Sequence, residues 1–477
     1  MGGLGSSWSQ CLRTIVLVCF FAGILVGSTT SRATTFQGLG DLPGGNVESI
    51  AHAISGDGTV VVGSSYDSAG SRAFRWTQSS GMVALPAEAY TADDVSFDGN
   101  VIVGTSRTTD GGNQAFRWTA EGGLVGLGDL STTGIFASSI PYSNAFGVSS
   151  DGTIVAAASF SIWQGFIWTS SAGLQTLGTL PGWSQSFAND ISADGTVVVG
   201  QAGRLSDSST DSEAFRWSAE DGMSGLGDLP GGNFDSSALG VSANGLVIVG
   251  YGTTANGTEA FRWTAADGMI ALGDLPQPQY TSPVTNSRAF ATSADGSVIV
   301  GYANGSVGYY GQKAMRWDAI HGMQALADLL QAQGVDLTGW QLVAATAISA
   351  NGQTIVGYGW HHSKIEAWRA TYDPEESVTP TTSYILPEVS IAGKKLLVTS
   401  RLKLRVSGHA SGPVTKILQR TGNHGPYKNV IGTSGWHFIA SLGLGKNIVS
   451  VIAIGPNGSS KPAKIVVWRR IKSLRQN

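Results

Sequence analysis

The chain has 477 residues, with 66 Gly, 2 Cys, 13% charged residues, 42% hydrophobic residues and a formal net charge of −4. Ordinary globular chains carry about 7% Gly and about 25% charged residues, so glycine is doubled here and charge halved. That excludes a disordered chain, because this apolar content fills a large core, and a mainly helical one, because Gly costs about 1 kcal/mol at each helix-interior position.

In chain order, the first feature is an apolar run of 14 residues, Thr14 to Gly27, after Arg13 and before Ser31-Arg32-Ala33. This is the grammar of a signal peptide over residues 1–33, and the run is short for a spanning helix. Both cysteines, Cys11 and Cys19, fall inside residues 1–33. The expected mature chain from Thr34 therefore carries no disulfide and no thiolate chemistry. No later apolar run reaches 18 residues, so no membrane span is expected after cleavage.

Internal repetition follows. Its glycines are Gly58, Gly99, Gly152, Gly195, Gly245, Gly296 and Gly352, 41–56 residues apart. Each sits in an S-x-D-G or S-x-N-G turn before a V-V-V-G-like run. A strand such as Ala115-Phe116-Arg117-Trp118 comes next, then Gly-Met and L-G-D-L. Asp-Gly between β-branched runs predicts a hairpin with a type I′ turn. Four strands per repeat match a propeller blade better than a solenoid rung. The seventh aromatic strand lacks a following L-G-D-L, whereas an unpartnered copy, Gly38 to Leu42, precedes the first hairpin. The expectation is an all-β, seven-bladed β-propeller over 34–372, closed by an N-terminal strand that leaves no exposed edge.

With L-G-D-L-P-G-G, S-x-D-G-T-V-V-V-G and A-F-R-W-T on one unit, the chain resembles the bacterial extracellular repeat family named for its His-Ala-Phe (HAF) signature. That resemblance implies a secreted or surface module without an agreed activity. The eponymous His is replaced by Arg72, Gln114, Glu213, Glu259, Lys313 or Glu366, so no role of that His carries over.

The Phe and Trp of each aromatic strand share one face by the period of two, and are expected to pack on the neighbouring blade. Arg117, Arg216, Arg262 and Arg316 recur with Asp129, Asp228, Asp274 and Asp328, which predicts hydrogen-bonded Arg–Asp pairs. The S-x-D-G aspartates are read as turn formers. The long joints and loops of one face hold Tyr142, Trp183, Tyr280, Tyr309, Tyr310, Trp340, Trp360 and His361, the candidate ligand-binding residues for an extracellular glycan or protein. The competing reading has them plugging loops onto the blades.

No nucleophile motif, zinc motif or phosphate loop is present, and no cofactor, metal or catalytic residue is assigned. Residues 373–383 read as a linker. Residues 384–477 carry +14 against −18 for everything before them. Runs such as Leu402 to Val406 and Lys464 to Trp468 alternate as in a β-sandwich. This segment resembles bacterial immunoglobulin-like accessory domains. Its charge fits docking on the acidic ring, attachment to an anionic envelope or polymer, or a solvated surface. Nucleic acid is not expected, for want of any accompanying motif.

The sequence thus points to a secreted, extracellular or cell-surface scaffold, with the periplasm a further option. The ring would bind a glycan or protein, and the basic domain would tether it. A carbohydrate-active enzyme using carboxylates of the central channel, and a structural surface-layer component, are the alternatives.

Overall fold

The computed structural model describes residues 34–130, 141–204, 211–276, 285–304, 311–373 and much of 388–469. The chain is all-β. Among the described residues there is one α-helix, α1 (Leu326–Ala332), standing where other repeats carry L-G-D-L.

Residues 44–84, 89–128, 143–176, 185–225, 231–273 and 288–325 each form a group of four antiparallel strands in chain order. A further group, 340–371, supplies three strands and takes its fourth from Thr35–Gly38. That strand pairs from Thr35↔Thr371 to Gly38↔Trp368, slightly before the expected Gly38 to Leu42. We number these groups 1 to 7.

The groups pack in cyclic order. Each first strand contacts the first strands of both neighbouring groups, and group 7 meets group 1. One apolar cluster lies between each successive pair. Phe116 joins groups 1 and 2, Phe166 groups 2 and 3, and Phe215 groups 3 and 4. Phe261, Met315, Trp368 and Phe74 continue the series until Phe74 packs with Val356 and Ala367 of group 7. The aromatic strand therefore serves packing between groups. Full burial of such a side chain is worth about 1.5–3 kcal/mol.

The turns close a second circle. In each S-x-D-G turn the Ser hydroxyl donates to the Asp or Asn side chain, as from Ser149 to Asp151 at 2.7 Å, and accepts the amide five residues on. Only the Gly takes positive φ, 67–77° across the seven turns. The expected type I′ geometry is thus corrected: the Asp stays at negative φ, where its carboxylate accepts the amide two residues on. The residue at x, with Asp57 beside it as the donor in group 1, binds its neighbour in the next group. Asp57 N donates to Phe97 O, Phe97 N to Ser150 O and Ser150 N to Ala193 O. Ala193, Ala243, Ala294 and Ala350 continue the chain until Ala350 N donates to Gly56 O, with all seven bonds at 2.9–3.2 Å.

The V-V-V-G glycine has a steric cause. Each first strand bulges by one residue, at His52, Asp93, Phe146, Asn189, Leu239, Phe290 and Thr346. Opposite the bulge, a Cβ on Gly250 would lie 1.9 Å from Ser237 O, and one on Gly104 2.2 Å from Thr91 O. The bulge presses its strand onto its partner, and six of the seven groups place glycine there, group 3 carrying Ala157.

The predicted Arg–Asp pairs do not form. Arg117 Nε donates to Gly152 O, Arg369 to Gly58 O, and Arg316 pairs with Asp318. The register puts Arg117 opposite Val125, so Asp129 lies beyond its reach at the strand end. The L-G-D-L aspartates instead hold the joints: Asp228 accepts the amides of Leu229, Asp235 and Thr253, and Asp274 those of Leu275, Asn286 and Asn304.

Residues 388–469 form two sheets around one core that includes Val406, Trp436, Val449 and Val467. One sheet orders Glu388–Ile391, Lys403–Ser411 and Gly435–Ser441. The other contains Leu396–Thr399, Ala463–Arg469, Gly445–Gly455, Lys416–Thr421 and Lys428–Val430.

Candidate functional site

Strand direction sorts the connections onto two ends of the ring. The S-x-D-G and Gly-Met turns lie at one end; the joints between groups and the loops between second and third strands lie at the other. At the loop end of groups 3 and 4 four aromatic side chains come together. Phe160 lies 5.1 Å from Tyr142, 6.0 Å from Trp163 and 5.6 Å from Phe187, and Trp163 is 5.8 Å from Phe187. Two of these rings face solvent, Tyr142 at 49% exposure and Trp163 at 39%.

The repeat grammar holds this cluster in place. Asp129, the buried L-G-D-L aspartate leaving group 2, accepts the Tyr142 amide at 3.0 Å and the Ser161 hydroxyl at 2.6 Å. One carboxylate thereby fixes both the joint bearing Tyr142 and the loop bearing Trp163. Phe160 N donates to Tyr142 O, and Ser186 N in group 4 donates to Trp163 O. Trp163 has φ 58°, a left-handed conformation that costs a bulky residue about 1–2 kcal/mol. Such strain concentrates at ligand clamps and active sites.

A second aromatic pair stands at the same end. Trp183 stacks on Phe234 at 6.2 Å and 24°, with the Arg204 guanidinium 5.1 Å from the Trp183 ring. Phe234 is 45% exposed. The loop end of groups 3 to 5 thus holds aromatic faces edged by polar groups, a chemistry suited to sugar rings and to interface hot spots.

The other sequence candidates separate. Trp340 and His361 stack at 4.3 Å and 9°, Phe36 meets Trp340 edge-on at 5.0 Å, and His361 adjoins His362 at 4.4 Å. His361 Nδ1 lies 2.7 Å from Glu366 Oε2, and Glu366 Oε1 accepts the Gly40 amide. This stack fastens the N-terminal strand to group 7. Trp360 stands beside it, half-buried and opposite Gln341 in the ladder. Tyr280, Tyr309 and Tyr310 lie outside the described residues.

The axis carries a second constellation. The seven bulged residues are all half-buried on the innermost strands. His52 Nδ1 lies 3.2 Å from Asp93 Oδ1, and Thr91 donates to Asp93 Oδ2. Asp94 Oδ2 accepts the Val148 amide at 2.8 Å, and a Cβ on Gly147 would lie 3.3 Å from Asp190 Oδ1. Asp94 and Asp190 therefore converge on one dipeptide, Gly147-Val148. Asp190 Oδ2 accepts the Val241 amide at 2.8 Å. Desolvation among the strands pushes Asp94 up to about 8, with the charge of Asp190 adding to the effect, and pushes Asp190 up to about 7. Among the described residues no group of three or more His, Cys, Asp or Glu could hold a metal ion.

Sequence reading missed Phe160, Trp163, Phe187 and Phe234, and with them the axial carboxylates. Phe160 and Trp163 flank a tight loop inside a degenerate repeat, where I-V-A-A at 154–157 replaces V-V-V-G and S-F-S-I-W follows at 159–163. Asp94 and Asp190 occupy a position held by Ala or Gly in the other groups, a departure visible once the repeats are aligned on their turns.

Among the described residues no helix is long and apolar enough to cross a membrane. No family model and no curated protein matches the chain. Among solved structures it is similar to a streptogramin B lyase structure, at 11% identity over 71% of this chain and 98% of that one, with a TM-score of 0.44. It is also similar to the β-propeller domain of the Trilobed protease from Pyrococcus furiosus, at 8% identity over 71% and 96%, with a TM-score of 0.43. TolB from Acinetobacter baumannii follows at 11% identity over 64% and 76%, with a TM-score of 0.37. With each of these TM-scores below 0.5, the architecture rests on the chain's own topology.

Proposed function

We propose that the chain is a secreted or cell-surface binding and scaffold protein. In this reading 34–372 is a seven-bladed β-propeller, the numbered groups being its blades. Its loop face binds an extracellular glycan or protein, and the basic immunoglobulin-like segment 384–477 is a tether. The cyclic order of inter-group cores and the circle of turn hydrogen bonds support the blade count. One observation carries the binding role: the Tyr142–Phe160–Trp163–Phe187 cluster, built around a strained Trp163 and held by the buried Asp129.

Glycan-array screening of the chain beside a Tyr142→Ala/Trp163→Ala variant tests this. A glycan signal lost in the variant is the expected result. A signal equal in both contradicts the site, and silence in the parent chain turns the reading towards a protein partner.

A second reading is favoured by Asp94 and Asp190. Two carboxyls sharing one dipeptide near the axis, one of them raised to about 8, have the protonation that a general acid in a carbohydrate-active enzyme needs. Polysaccharide turnover abolished by Asp94→Asn would decide for it.

A further inference from the structure

We propose that the outward face of the sheet formed by Glu388–Ile391, Lys403–Ser411 and Gly435–Ser441 docks on an anionic lipid bilayer. The proposal rests on the tether part of the reading above and names its surface and its partner.

Burial alternates cleanly along both long strands. Val406, Trp436 and Ala440 point into the core, while Lys403, Arg405, Ser407, His409, His437 and Ile439 point outward. The register makes these one continuous patch, with Arg405 opposite Ile439, Ser407 opposite His437 and Lys403 opposite Ser441. None of the residues opposite these six is acidic, the one acid of the sheet, Glu388, pairing with Ser411 at its end, and among the described residues neither Lys403 nor Arg405 joins an ion pair. Two cations and two histidines thus share one face in a segment of net charge +14.

Charge complementarity alone admits any polyanion. Ile439 makes the choice. It is 64% exposed in the middle of the cationic face, and Leu444, in the connection from Gly435–Ser441 to Gly445–Gly455 of the other sheet, is 61% exposed. A soluble polysaccharide offers these side chains nothing, whereas a bilayer interface takes up apolar groups beside basic ones. Basic residues near an anionic leaflet each strengthen attachment about fivefold, so the pair accounts for about thirtyfold.

The test is co-sedimentation of the full chain with three probes. They are vesicles of equal parts phosphatidylglycerol and phosphatidylcholine, vesicles of phosphatidylcholine alone, and soluble polygalacturonate. The expected result is binding to the anionic vesicles that falls as salt rises, weakens about thirtyfold in Lys403→Ala/Arg405→Ala and weakens several-fold in Ile439→Ser. Ser407→Lys, on the same face, should tighten it about fivefold, a gain that a misfolded variant does not give. Anionic-vesicle binding unchanged in the double variant and in Ser407→Lys overturns this face while leaving a tether elsewhere in the segment. Equal binding to phosphatidylcholine vesicles, or binding to polygalacturonate alone, overturns the lipid assignment. Binding to none of the three probes overturns both the proposal and the tether reading.

Discussion

At the residue scale, the chain places ionisable groups where burial changes their chemistry. Asp94 and Asp190 sit where five other groups carry Ala or Gly, and each satisfies a backbone amide in the next group. Their folded-state values, about 8 and about 7, lie above the ordinary carboxylate value near 4. The sign follows from linkage. The fold prefers the protonated form, so this contribution is complete below about pH 4 and is lost as pH rises through 7 to 8. Thermal unfolding should therefore show a transition temperature that declines from pH 5 to pH 8.5, and Asp94→Asn/Asp190→Asn should flatten the decline. A decline of equal size in the variant would place its origin elsewhere. These two residues were legible as departures from the repeat, but their convergence on Gly147-Val148 was not, because it depends on the curvature that brings distant blades together.

At the element scale, the repeat was almost wholly legible, since every strand and turn is specified by local chemistry present several times over. The errors concern what recurrent residues touch. Arg and Asp co-occur because both serve the blade, the one binding the next turn's carbonyl and the other fastening the joint, as Arg117 and Asp129 do. Co-occurrence in a repeat is therefore weak evidence of contact. The V-V-V-G glycine became intelligible only with the bulge. Gly250→Ala should cost about 1–3 kcal/mol, because Ser237 O must move to admit the methyl group. Chemical denaturation measures this, and a loss below about 0.5 kcal/mol would mean that the bulge relaxes freely. Group 3 is the exception, carrying Ala157 at the equivalent place.

At the scale of the whole molecule, closure is the organising fact. Thr35–Gly38 completes the last sheet, and the Phe36–Trp340–His361 stack with Glu366 locks it. Removing residues 34–38 bares the edge of Lys364–Thr371 from Trp368 to Thr371. Size-exclusion chromatography should then show self-association, and calorimetry a lower transition temperature. A monomer of unchanged stability would contradict closure by this strand. Closure also explains why the candidate site was only partly legible. The sequence marks Tyr142 and Trp183 as surplus aromatics, but it also marks Trp340 and His361, which the fold spends on the lock. Nothing local distinguishes an aromatic ring that seals a joint from one that faces solvent.

That distinction supplies the most direct test of the binding role: the affinity of the chain for its strongest array ligand, measured by titration calorimetry in three variants. Tyr142→Ala/Trp163→Ala should weaken binding at least tenfold with little change in the transition temperature, as removal of an exposed aromatic hot spot does. Trp340→Ala should lower the transition temperature and leave affinity within about twofold, because its ring serves closure. Full affinity in the double variant, or affinity lost only in Trp340→Ala, would contradict the assignment of the binding site to the loop face of groups 3 and 4.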